Sequence, residues 1–211
     1  RDDFPGWLFE VKMNSTSIWE RWDSLQSNGQ PKKGAGMNSL NHYASGSVIE
    51  WLYRNVCGIR PLIKAPGFKE FEIHPQPDVR MGSAKAVLNS AMGKIESSWK
   101  ICDEDNCKPL NRTVGNLNIT DKDNLSILYK FVVPFNSVAH LKLTNVKKSE
   151  VKMKILKNYD SSSESHKTSK SNDKIVFKRD GKDVTATLLP GSYSITTPYR
   201  QNEIPIDSHF I

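Results

Sequence analysis

The sequence predicts an α+β chain in which a short helical part precedes an antiparallel β-sandwich. Two patterns carry this expectation. From Met37 the apolar residues Met37, Leu40, Ala44, Val48, Leu52, Val56 and Ile59 recur every three or four positions, which makes one helical stripe. Gly58 and Pro61 end it. Beyond Pro61 the period changes to two: roughly nine short apolar/polar segments follow, with Gly, Pro, Asn and Asp between them and no helical stretch. The expected organisation is therefore a first domain over residues 1–62 and a sandwich over 63–211.

Taken in order, Phe4–Val11 opens with a Pro-Gly turn and a short apolar stretch. Residues 14–23 carry two tryptophans around a charged pair, Trp19-Glu20-Arg21-Trp22. Ser24–Gly36 is polar and glycine-rich and reads as a loop long enough to be functional. His42 falls in the first turns of the expected helix, off its apolar stripe. The expected strands are 69–75, 84–89, 93–101, 126–133, 137–144, 151–156, 174–178, 184–189 and 192–197. Pro190-Gly191 reads as a hairpin turn between the last two, and 198–211 as a surface strap. Trp99 lies in a strand, where core burial is the expected fate.

The charge balance narrows the partners. The net charge is +7, and residues 142–182 hold all of the excess, with 12 Lys/Arg against 5 Asp/Glu. The remaining chain holds 18 of each sign. The Ser/Lys run Tyr159–Lys174 within it, with only Tyr159 as an aromatic residue, reads as a solvated loop, so no nucleic-acid partner is expected. No apolar run approaches the length of a membrane span, and no basic-then-apolar leader opens the chain. Neither a phosphate-cradling glycine loop, nor a Gly-x-Ser-x-Gly elbow around Ser39 or Ser45, nor a metal-ligand pair of histidines is present. No cofactor is expected.

Cys102 and Cys107 bracket an acidic turn and suit a small hairpin disulfide better than zinc. Cys57, in the helical pattern, reads as a buried free thiol. Four glycosylation acceptors occur at Asn14, Asn111, Asn118 and Asn124, three of them crowded beside the expected disulfide. These features together predict a secreted or lysosomal protein. A glycan on Asn14 would stand only six residues before Glu20.

Aromatic faces at Trp19 and Trp22, the Glu20 carboxylate, and the amide-rich run ending in His42 supply what a sugar pocket needs: stacking surfaces for C–H faces and polar partners for hydroxyls. A plainer reading makes both tryptophans core, Glu20–Arg21 surface charge and His42 a helix cap.

The stretches Thr16-Ser17-Ile18-Trp19-Glu20-Arg21-Trp22-Asp23, Met37-Asn38-Ser39-Leu40-Asn41-His42-Tyr43-Ala44 and Glu50-Trp51-Leu52-Tyr53-Arg54 resemble the C-terminal part of the α-L-rhamnosidases of glycoside hydrolase family seventy-eight. Ala65-Pro66-Gly67-Phe68-Lys69 and Gly93-Lys94-Ile95-Glu96-Ser97-Ser98-Trp99 resemble the family's next two motifs, in the same order. The resemblance covers residues 1–100. It implies that the first domain forms the terminal helices of an (α/α)6 barrel, joined to a C-terminal β-sandwich. It further implies inverting hydrolysis of terminal α-L-rhamnose from a rhamnosylated glycoside or glycan. Glu20 matches the general base and His42 a sugar contact. The general acid belongs to an upstream barrel segment of the same precursor, so this stretch alone is expected to be inactive. The rival expectation is a non-catalytic carbohydrate-binding or structural sandwich, with Trp99 as its stacking residue.

Overall fold

Ten strands in two five-stranded sheets dominate the computed structural model, which describes residues 3–34, 36–103, 125–158 and 175–200. The chain divides into two compact units, Arg1–Leu52 and Tyr53–Ile211.

The first unit has little regular structure. Helix α1 spans Trp7–Lys12 and buries Phe9 and Glu10. Phe9 meets Phe4 edge-on at 5.1 Å and Trp19 at 6.3 Å, which forms a small aromatic core. Leu25 and Pro31 form an isolated bridge across the polar loop. Helix α2 covers only Tyr43–Gly46, and α3 Val48–Trp51. A π-helical turn, Leu52–Val56, follows.

The continuous helix expected from Met37 to Ile59 is therefore corrected. Met37–Asn41 is not helical, because its polar groups are engaged elsewhere. Asn38 Nδ2 donates to the Ser24 carbonyl at 3.0 Å, and the Asn41 N–H donates to Ser39 Oγ at 3.2 Å. Ser and Asn compete in this way with helical hydrogen bonding. The stripe is also not a buried face: Met37 is 82% exposed and Leu40 42%. At the far end Ile59 belongs to a strand.

In the second unit, β1 (Ile59–Pro61), β2 (Glu70–Ile73), β6 (Val138–Leu143), β9 (Asp183–Leu188) and β8 (Lys178–Asp180) form one sheet in that order. The other sheet runs β3 (Ser83–Ser90), β4 (Gly93–Asp103), β5 (Leu125–Val133), β10 (Gly191–Pro198) and β7 (Lys152–Asn158). All pairs are antiparallel except β2–β6, which is parallel with Phe71 opposite Ala139. Alternation decides which side chains turn inward. Phe71 and Ile73, Leu141 and Leu143, Val184 and Leu188 are buried on one sheet. Ile95, Trp99, Ile101, Tyr129, Phe131, Tyr193 and Ile195 are buried on the other.

Most of the expected strands are present, with three corrections. The segment Ile59–Pro61 is strand β1. The strand placed at 174–178 is found at Lys178–Asp180. Pro190-Gly191 is not a hairpin turn: β9 and β10 lie in different sheets, so it is an arch between layers. Cys107, Asn111, Asn118 and Asn124 lie outside the described residues; Cys102 is fully buried at the end of β4. No described helix is long and apolar enough to cross a membrane.

The entry to the sandwich is tightly held. Trp99 Nε1–H donates to the Val56 carbonyl at 2.8 Å and Ser97 Oγ–H to the Cys57 carbonyl at 2.6 Å. The His74 N–H reaches the Gly58 carbonyl at 2.9 Å. Gly58 has φ +76°, and a Cβ there would stand 2.1 Å from the His74 carbonyl carbon. Only glycine fits such a backbone approach. Cys57 is a buried free thiol, pushed up to about 11 by burial.

Candidate active site

The two motifs around Glu20 and His42 are joined by backbone pairing inside the first unit. The Glu20 N–H donates to the Ser39 carbonyl at 2.9 Å, and the His42 N–H to the Ile18 carbonyl at 2.8 Å. Ser17 Oγ–H adds a bond to the Leu40 carbonyl at 2.5 Å. These contacts bring two segments about twenty residues apart into one short ladder. Its polar side chains are not strand formers, so the ladder depends on backbone groups that leave no mark in a hydropathy pattern.

Glu20 is half-buried. Its Oε2 accepts the Ser39 N–H at 2.9 Å, and its other carboxylate oxygen has no partner among the described residues. Arg21 does not neutralise it: the Arg21 guanidinium donates to the Met37 carbonyl at 3.5 Å. Asp23 pairs with Lys32, which holds its carboxyl below the usual range. Ser24, 1% exposed, accepts the Arg21 N–H at 3.2 Å and closes the turn after Glu20.

The tryptophans separate in role. Trp19 is 3% exposed and meets Phe9 edge-on, whereas Trp22 is 50% exposed and meets Trp7 edge-on at 5.4 Å. His42 stands at the N-cap of α2 without a capping side-chain bond. Its ring stacks on Tyr43, and its Nδ1 is buried without a partner among the described residues. Asn14 follows α1 in the left-handed region at φ 57°, exposed, which asparagine tolerates.

The sequence offered no signal for two further contributors. Ser39 acts through its main chain. Glu10 is 1% exposed and accepts the Trp19 N–H at 3.1 Å, one residue before Glu20. Its Oε1 is buried and unpartnered among the described residues. Desolvation pushes the Glu10 carboxyl above its ordinary value, and the Trp19 N–H opposes this only in part. Among the described residues no group of three or more His, Cys, Asp or Glu side chains is placed to hold a metal ion. Trp99 is 2% exposed with its N–H satisfied, so it offers no face for stacking a ligand.

Two family models match this chain. That of the bacterial alpha-L-rhamnosidase 6 hairpin glycosidase domain covers residues 1–56, and that of the bacterial alpha-L-rhamnosidase C-terminal domain covers 58–109. The chain belongs to the α-L-rhamnosidase family. An α-L-rhamnosidase of Formosa agariphila is 41% identical over 103 residues, 49% of this chain and 11% of that protein. One from Streptomyces avermitilis is 41% identical over 97 residues, 46% of this chain and 9% of that protein. The chain thus matches about a tenth of the length of these rhamnosidases, at a C-terminal portion.

Solved structures extend the likeness over the sandwich. The Streptomyces avermitilis α-L-rhamnosidase complexed with L-rhamnose has a TM-score of 0.62 at 26% identity and covers 93% of this chain and 15% of that one. The Aspergillus terreus enzyme has a TM-score of 0.53 at 28% identity, over 69% of this chain and 14% of that one. The α-L-rhamnosidase from Dictyoglumus thermophilum shares the fold, with a TM-score of 0.55 at 22% identity, over 94% of this chain and 18% of its own.

Proposed function

We propose that this chain supplies the general-base part of an inverting α-L-rhamnosidase acting on rhamnosylated glycosides or glycans. The observation that carries the reading is the Glu20 carboxylate. One oxygen is anchored by the Ser39 N–H, and the other has no partner among the described residues and can take a proton from water. An inverting glycosidase places two carboxyl groups about 6.5–9.5 Å apart, with the attacking water on the base side. The two carboxylates bonded beside Glu20 in the first unit do not suit the acid role. Glu10 is engaged by the Trp19 backbone and Asp23 by Lys32. We assign the acid to an upstream barrel segment of the longer protein. His42, half-buried at the start of α2, would bond a sugar hydroxyl through its Nε2, Trp22 would offer a stacking face, and Trp19 would hold the turn beneath Glu20.

The first unit would be the last part of an (α/α)6 barrel. The exposure of Trp7, Leu8, Met37, Tyr43 and Ile49 supports this, since neighbouring helices would cover them. The acceptor triplets at Asn14, Asn111, Asn118 and Asn124 and a Cys102–Cys107 disulfide favour a secreted or lysosomal setting. A mass shift on deglycosylation of the native protein would support that placement.

The decisive experiment replaces Glu20 by Gln in the full-length hydrolase. Turnover of an aryl rhamnoside should fall by about three orders of magnitude with the fold intact by circular dichroism. Near-normal turnover would overturn the assignment. His42→Ala should raise KM more than it lowers kcat.

A further inference from the structure

Away from Glu20, the sandwich carries an open hollow of about 800 Å³ bounded by three separate stretches of chain. The link after β6 contributes Lys147 and Lys148, the β8–β9 hairpin contributes Arg179 from β8 and Lys182 from its turn, and Arg200 follows β10. The walls are tied together. The Val146 N–H donates to the Lys182 carbonyl at 3.2 Å, and the Asn145 N–H to Asp183 Oδ1 at 3.3 Å. Arg200 Nη1 donates to the Asn145 carbonyl at 3.2 Å.

The hollow is cationic, and its neighbouring carboxylates are engaged: Asp180 and Asp183 pair with Lys142, outside the lining. Glu150 receives Arg200 through both oxygens, at 2.7 and 2.8 Å, and also accepts the Lys147 N–H at 3.0 Å. Among the described residues Arg179 donates only to the Gly181 carbonyl. Lys148, Arg179 and Lys182 have no carboxylate partner among the described residues. They belong to the region that holds the whole chain's net positive charge, while the rest of the sequence balances. Like charges held together in a concave wall focus a field that attracts anions. Among the described residues no aromatic side chain lines the hollow, so they offer nucleobases no stacking platform there.

We propose that this hollow binds an acidic polysaccharide chain, one bearing carboxylates or sulfates, and so docks an anionic glycan on the sandwich. The choice of a saccharide over other polyanions rests on the rhamnosidase reading above. The site itself stands on the charge and the geometry.

The test is binding, without hydrolysis. The 211-residue chain is titrated with polygalacturonate, dextran sulfate, neutral dextran and single-stranded DNA at two ionic strengths. The acidic polysaccharides should bind and weaken with salt, and neutral dextran should not bind. Comparing polygalacturonate with dextran sulfate tells which acidic group is preferred. Lys147→Ala/Lys148→Ala/Lys182→Ala should lower affinity about tenfold or more. Lys69→Ala/Lys100→Ala/Lys130→Ala, an equal loss of exposed charge elsewhere on the sandwich, should lower it far less. Equal losses in the two triple variants, equally tight DNA binding, or no binding to either acidic polymer would overturn the proposal. Because no rhamnoside is cleaved, this result is independent of the Glu20→Gln experiment.

Discussion

At the scale of single residues, Glu10 is a carboxyl group in conflict with its surroundings. One oxygen has the Trp19 N–H and the other is buried without a partner among the described residues. Burial raises its pKa above the ordinary 4.5, so the folded state disfavours the ionised form. The resulting penalty is fully present well above the folded pKa and fades as pH falls toward 4.5. Glu10→Gln should therefore stabilise the chain at pH 7 by up to about 1 kcal/mol, and the gain should vanish below the carboxyl range. Chemical denaturation at the two pH values checks this. Gly58 presents the opposite case, a residue with no alternative. Gly58→Ala combines φ +76° with a Cβ 2.1 Å from backbone, and should cost about 3 kcal/mol or more in thermal melts. Trp99→Phe keeps most of the volume but removes the indole N–H bond to the Val56 carbonyl, which retains only the longer Gln76 N–H at 3.3 Å, at a cost of about 0.5–1.5 kcal/mol. The Trp19-Glu20-Arg21-Trp22 motif could be read as a carboxylate between aromatic faces. That one tryptophan is core and the other half-exposed could not, because both flank the same residue in sequence and differ only in what packs on them.

At the scale of elements, strands were legible and helices were not. A strand such as β5 announces itself through alternation, and its neighbours satisfy both edges of its backbone. The Met37–Ile59 stripe has the helical period as well. However, Ser39 and His42 give their N–H groups to Glu20 and Ile18, and β1 claims Ile59 for pairing with Ile73. Propensity is a weak prior that tertiary partners override. Ion pairs between elements were equally silent. Glu150, after β6, is held down to about 2, mainly by Arg200 beyond β10. A depressed carboxylate stabilises the fold above its unfolded pKa and loses that contribution as pH falls. Glu150→Gln should accordingly lower Tm at pH 6, and the gap from wild type should close between the ordinary 4.5 and about 2. The pair is partly exposed, so the shift in Tm should be modest and shrink in salt.

At the scale of the whole chain, two units differ in how they are stabilised. The sandwich buries large side chains from both sheets, whereas the first unit leaves Trp7, Leu8, Val11, Met37 and Tyr43 exposed around a small aromatic core. Calorimetry on this chain should show the first unit losing structure at lower temperature than the sandwich, rather than one cooperative transition. Family membership, the sandwich and the charge imbalance were determined by the sequence alone, because motif order, two-residue alternation and charge counts are properties of the linear chain. Only the tertiary structure decided that Ser39 holds Glu20, that Trp19 is core while Trp22 is half-exposed, that β9 and β10 lie in opposite layers, and that the basic residues rim one hollow. Each of these depends on which distant backbone groups meet, and hydrogen bonds to main-chain atoms carry no signature in side-chain identity.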